Sequence, residues 1–122
     1  MMKKVLVGDE DLDVHQLVHD ILQINLKQVT IDRALTGKSF LSKINTAKTP
    51  YDLILCNIKM NKENGQNLLD SIREEHPDII DRIILLADSP EESAVPLGRE
   101  LPCVSKPFCL DRFGEVIKKV CS

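Results

Sequence analysis

No stretch of this sequence approaches the roughly 20 consecutive apolar residues that a membrane-spanning helix needs. None of its four cysteines stands in a C-x-x-C pair, so the usual spacing for thiol redox chemistry or zinc is missing, and Cys56, Cys103, Cys109 and Cys121 are expected as buried free thiols. Nor is there an excess of positive charge. A net charge of -3 gives no general attraction to nucleic acid or anionic lipid, and no direct contact with either is expected. After Lys3 and Lys4 the apolar stretch 5–7 is too short for a signal-peptide core and runs into acids, which points to a cytoplasmic location. Repeats, low-complexity runs and linkers are absent too, so the expectation is a single domain over residues 1–122. At 43% hydrophobic and 29% charged residues, that domain has enough apolar material for an ordinary globular core.

The most informative stretch is Tyr51-Asp52-Leu53-Ile54-Leu55-Cys56-Asn57-Ile58-Lys59-Met60. Its apolar run, bounded by Pro50 and a polar turn, reads as a strand buried on both faces, as in the interior of a parallel sheet. Asn57 then falls at the carboxyl end of that strand, on the edge where open α/β sheets gather their ligands. Around it the chain alternates. Residues 4–8 form a short apolar strand that runs into Asp9-Glu10-Asp11. A helix follows with Val14, Leu17, Val18, Ile21 and Leu22 as its buried face and Asp11 or Asp13 at its start. His15 and His19 lie four apart on this helix, but the period puts both on its solvent side, and no third metal ligand is nearby.

Residues 28–33 alternate as an edge strand would, and Thr36 opens a second helix through Phe40, Leu41 and Ile44. A turn is expected over 61–65, then a helix with Leu68, Leu69 and Ile72 that ends near His76 because Pro77 follows. Residues 82–87 read as a second buried strand. Ser89-Pro90-Glu91-Glu92 reads as a capping box whose helix Pro96 cuts short. Residues 101–105 give a fifth strand. After Lys106-Pro107 comes a last helix with Leu110, Phe113, Val116, Ile117 and Val120 buried and with Gly114 allowing a close approach to the sheet. Five strands alternating with five helices predict an α/β fold with a parallel, doubly wound sheet.

In this order and spacing, Val5-Leu6-Val7-Gly8-Asp9-Glu10-Asp11, the stretch 51–60 followed by Gly65, and Lys106-Pro107-Phe108 resemble the receiver domain of bacterial response regulators in two-component phosphorelay signalling, the CheY-like family. The resemblance covers about residues 3–120. It implies a flavodoxin-like sheet of order 2-1-3-4-5 with helices on both faces. In that family a carboxylate takes a phosphoryl group beside a divalent cation. The resemblance therefore implies Asp9 and Glu10 as the acidic pair, with the Lys59 carbonyl as a third Mg²⁺ ligand. It also implies Lys106 as the phosphoryl partner and a cis bond before Pro107.

Three departures fall on the reacting and moving parts: Asn57 where the family carries its acceptor aspartate, Ala87 where it has the switch hydroxyl, and Cys103 where it has the switch aromatic. An amide supplies no carboxylate nucleophile. The expectation is therefore a degenerate pseudo-receiver, not an enzyme, in which Mg²⁺ is not required and binds weakly, and in which Lys106 pairs with Asp9 or Asn57. Its partner is expected to be a protein (a kinase, an output domain or a second copy) met on the surface formed by the short fourth helix, the fifth strand and the last helix, with no small-molecule substrate. Phosphorylation of a neighbouring acid such as Asp88, or a folded spacer without a switch, are the alternatives. Flavin binding on the same topology is disfavoured because the acidic loop 8–11 would repel a phosphate.

Overall fold

A computed structural model describes residues 2–61, 68–89 and 101–121. Strands β1 (Lys3–Gly8), β2 (Val29–Ala34), β3 (Leu53–Asn57), β4 (Ile83–Ala87) and β5 (Cys103–Ser105) form one sheet of order β2-β1-β3-β4-β5. Every pairing in it is parallel. The helices are α1 (Leu12–Asn25), α2 (Gly37–Thr46), the single turn α3 (Ile58–Asn61), α4 (Leu68–Glu75) and α5 (Leu110–Cys121), with a 3-10 segment over Pro77–Arg82. This is the flavodoxin-like fold expected from the sequence. The expected capping box and shortened helix after β4 lie mostly on residues 90–100, outside the described residues, as does most of the expected turn at 61–65. Asn61 itself closes α3.

The sheet divides the core in two because side chains alternate across a strand. Leu6, Ile54, Cys56, Ile83 and Leu85 point to the face covered by α2, α3 and α4, where they meet Phe40, Ile44, Met60, Leu69 and Ile72. Val5, Val7, Leu53, Leu55, Ile84 and Leu86 point to the other face, where α1 and α5 contribute Val18, Leu22, Phe113 and Ile117. All five residues of β3 and of β4 are buried, so both strands read as apolar runs, broken in β3 only by Asn57 at its end. Each such side chain removed from water contributes about 1.5–3 kcal/mol, which fixes the two central strands most firmly. β2 forms one edge and shows the mixed burial that its alternation predicts.

Local signals set the helix starts. The Asp11 carboxylate accepts from the Asp13 N–H at 2.9 Å and caps α1. Thr36 and Ser39 cap α2 reciprocally, side chain to main chain in both directions.

Four expectations are corrected here. The buried stripe of α1 is turned toward His15 and away from Leu17: Leu17 is 42% exposed, whereas His15 is 1% exposed and not on the solvent side. His15 is held there by the Nε2–H, which donates to the Asp9 carbonyl at 2.8 Å, while Nδ1 is buried with no hydrogen-bond partner among the described residues. Leu110 is exposed because it stands in the first turn of α5, before that helix reaches the core. Gly114 makes room for α1 and not for the sheet, since a Cβ there would lie 2.6 Å from Asn25 Oδ1. All four cysteines are free, but Cys56 alone is buried and Cys109 is exposed. Burial, with the nearby Asp9 charge, pushes the Cys56 thiol up to about 12, so it behaves as a core side chain.

Gly8 closes β1 where the chain turns toward Asp9, and a Cβ there would sit 2.5 Å from Phe40 Cδ1 and 3.0 Å from Met60 Sδ. Both neighbours are fully buried and cannot swing into solvent. Gly8→Ala is therefore expected to lower the unfolding free energy by about 1–3 kcal/mol, the scale of overpacking in a filled core. Urea denaturation followed by circular dichroism reads this directly, and an unchanged midpoint would contradict it.

Candidate functional site

Parallel strands end on one edge, so the residues that close them are brought together whatever their separation in sequence. Here that edge gathers Asp9 after β1, Asn57 at the end of β3, Asp88 after β4 and Lys106 after β5. Lys59 joins them from the turn that follows β3. Asp9 and Asn57 are buried, at 3% and 5% exposed. Glu10 is exposed, and none of the contacts described within the cluster involves it.

The Asn57 carboxamide ties the cluster together. Its Nδ2 donates to Asp9 Oδ2 at 2.9 Å and to Asp88 Oδ1 at 3.3 Å. Its Oδ1 accepts from the Lys59 backbone N–H at 2.8 Å, which settles the orientation of the amide, because a main-chain donor requires the oxygen. The other oxygen of Asp9, Oδ1, accepts from the Asp11 N–H at 2.8 Å. Each oxygen of the buried Asp9 side chain thus accepts one hydrogen bond.

Asp88 is the second centre. Its Oδ2 lies 2.7 Å from Lys59 Nζ and its Oδ1 3.2 Å from Lys106 Nζ. The Lys59 ammonium, more than the Lys106 charge and the Asn57 amide, holds the Asp88 carboxyl below its ordinary value of 3.8, against the opposing effect of partial burial. The expected pairing of Lys106 with Asp9 or Asn57 is corrected: Lys106 meets Asp88, because the Asn57 amide already stands between Asp88 and Asp9. Two carboxylates and two ammonium groups therefore balance across one neutral amide.

The other positions singled out in the sequence are apolar or peripheral. Ala87 is buried at the end of β4 and offers a methyl where a hydroxyl would be needed to hydrogen-bond; its carbonyl accepts from the Lys106 N–H at 2.9 Å. Cys103 is half-buried and packs against the core on the α2–α4 face. The Lys106–Pro107 peptide is cis. Sequence reasoning assigned only the backbone carbonyl of Lys59 and so missed its ammonium. The available signal was a long basic side chain two residues past a strand end, opposite the acid that follows the neighbouring strand.

The donor set fits a divalent cation poorly. A hard cation wants several oxygen ligands converging on one point. Here both oxygens of Asp9 are engaged, and the group facing Asp9 Oδ2 is an N–H donor. Among the described residues no cluster of three His, Cys, Asp or Glu side chains is placed to hold a metal. No described helix is long and apolar enough to cross a membrane.

Comparison with known proteins agrees with the fold. A family model described as the response regulator receiver domain matches residues 5–118. Among solved structures, the Francisella response regulator 1452 receiver domain shares 27% identity at a TM-score of 0.69, with 98% of this chain and 96% of that one covered. NtrX from Brucella abortus shares 26% identity at a TM-score of 0.76 over 99% of this chain, which spans 26% of the NtrX chain. The chemotaxis response regulator CheY4 of Vibrio cholerae shares the fold at 21% identity and a TM-score of 0.78, covering 98% of this chain and 99% of that one. No curated protein matches the chain by sequence.

The depressed Asp88 carboxyl has a consequence for acid stability. A carboxylate whose folded value is lowered contributes stability that is fully present above its unfolded value and is lost as pH falls through the folded one. Asp88→Asn should therefore cost roughly 1 kcal/mol at pH 7, the scale of a partly exposed ion-pair cluster. The gap between the two chains should close as pH drops below 3.8. Urea titrations of both chains at pH 7 and near pH 3 check it; a gap that stays constant or widens in acid would contradict the assignment.

Proposed function

The chain belongs to the response regulator receiver family, and from that premise we propose that it is a signalling module that takes no phosphoryl group at position 57 and acts through contact with a protein partner. Receiver domains of response regulators interact with kinases or output domains, and this chain carries the whole receiver sheet on which such contacts are built.

One observation carries the proposal: the Asn57 amide, at the position the family resemblance gives to the acceptor, is hydrogen-bonded on both sides, to Asp9 and to Asp88. Acyl phosphate formation needs a carboxylate oxygen to attack phosphorus, and a neutral amide lacks the negative charge that makes that oxygen a nucleophile. The lysine that would neutralise the phosphoryl oxygens is already paired with Asp88. Mg²⁺ is not required in this reading, and weak binding is expected because the group facing Asp9 Oδ2 is an N–H donor where a hard cation wants an oxygen ligand.

Contact with a partner falls on the exposed side of β5 and α5. Leu101, Pro102, Val116 and Val120 line a groove of about 490 Å³ there, with Asp81, Arg112 and Lys119 at its rim. A groove lined by apolar side chains and by charges of both signs suits a protein surface and would give a partner both area and register.

The test is intact-mass spectrometry after incubation with acetyl phosphate and Mg²⁺, with the natural chain beside Asn57→Asp. The expected outcome is no phosphoryl gain on the natural chain and a gain on the variant. A gain on the natural chain would sink the proposal and turn attention to Asp88, the more exposed of the two carboxylates that Asn57 touches. If neither chain gains mass, residues beyond position 57 also prevent the transfer.

A further inference from the structure

We infer that the Asp88 carboxylate is the built-in anion of this edge, seated where Lys59 Nζ, Lys106 Nζ and Asn57 Nδ2 converge, and that it closes the site to an oxyanion from solution. The inference deepens the proposed function and rests on position 57 not being a phosphoryl acceptor.

The three donors reach Asp88 from separate parts of the chain: 2.7 Å from Lys59 after β3, 3.2 Å from Lys106 after β5, and 3.3 Å from the amide that ends β3. Two ammonium groups and an amide N–H around one point form a set that suits a tetrahedral oxyanion, since each donates a hydrogen bond and two carry charge. In this protein the anion at that point is a side chain. It stands next to Ala87, the last residue of β4, a buried strand, so its position is fixed by the sheet. A tethered carboxylate acts at an effective concentration far above that of a free ion, and a millimolar external anion competes poorly with it. Its occupancy also holds Lys106 at the edge without any modification of the chain, because the ion pair of 3.2 Å is present in the unmodified protein. Ala87 is a buried methyl side chain, and the residue after it, Asp88, supplies the carboxylate on which the donors meet.

The test uses inorganic phosphate as the probe. The natural chain, Asp88→Ala and Asp88→Asn are titrated at neutral pH and followed by ¹H–¹⁵N NMR, with the folded state of each confirmed from its own spectrum. The natural chain is expected to show no saturable shift at Lys59 or Lys106. Asp88→Ala is expected to bind at least about tenfold more tightly, because one negative charge within about 4 Å of the site has been removed. Asp88→Asn keeps the side-chain volume and removes the charge, so it covers the case in which the alanine variant fails to fold. A gain in either folded variant, centred on Lys59 and Lys106, supports the inference. Equal titrations in the natural chain and the folded variants, whether all bind or none does, would overturn it. The readout is non-covalent, so a phosphoryl gain on the natural chain would remove the premise, whereas equal titrations here would remove only the role given to Asp88.

Discussion

A single carboxamide separates two carboxylates at the carboxyl edge of this sheet, and the chemistry of the edge follows from it. Asp9 is buried beneath Asn57, and Asp88 lies on the amide's other side. A neutral donor between them satisfies both. A third carboxylate in that place would set like charges against each other at about 4 Å, a repulsion of several kcal/mol at an effective dielectric near 20, and would call for a cation to offset it. With the amide there, the Lys59 and Lys106 ammonium groups face the Asp88 charge. Asn57 Nδ2, Lys59 Nζ and Lys106 Nζ all meet Asp88, with Asp9 on the other side of the amide.

The sheet makes this arrangement rigid. β3 and β4 are buried along their whole length, and each face is closed by its own cluster of apolar side chains. The edge residues hang from the ends of these strands, so Asn57 and Asp88 have little freedom to separate. The same rigidity explains why Gly8 cannot carry a side chain and why Ala87 is packed as a core residue. Stability and site geometry therefore share one origin, the parallel pairing of the central strands.

Much of this was legible in the sequence, for physical reasons that differ by element. β3 and β4 were readable because strands buried on both faces leave continuous apolar runs, and β2 because an edge strand leaves an alternating one. The edge itself was readable as well, since strand order and strand ends determine which residues meet. The pairings within it were not. Lys106 chooses Asp88 over Asp9 by the reach of a side chain and by the amide already in between, and Lys59 enters by the same kind of reach. The phase of α1 was missed for a related reason. A buried imidazole is unfavourable on its own, and only the Asp9 carbonyl, brought near by the fold, makes His15 acceptable and leaves Leu17 outside.

The most direct measurement is on the Asn57 side-chain amide. Its two protons should appear as distinct NMR signals that exchange slowly with water, and Asp88→Asn should shift one of them strongly, because both contacts of Nδ2 are with carboxylates. That result would place the amide where the account requires it, bridging Asp9 and Asp88. Two protons exchanging at the rate of a solvent-exposed asparagine, unmoved by the change at Asp88, would contradict the account at its centre.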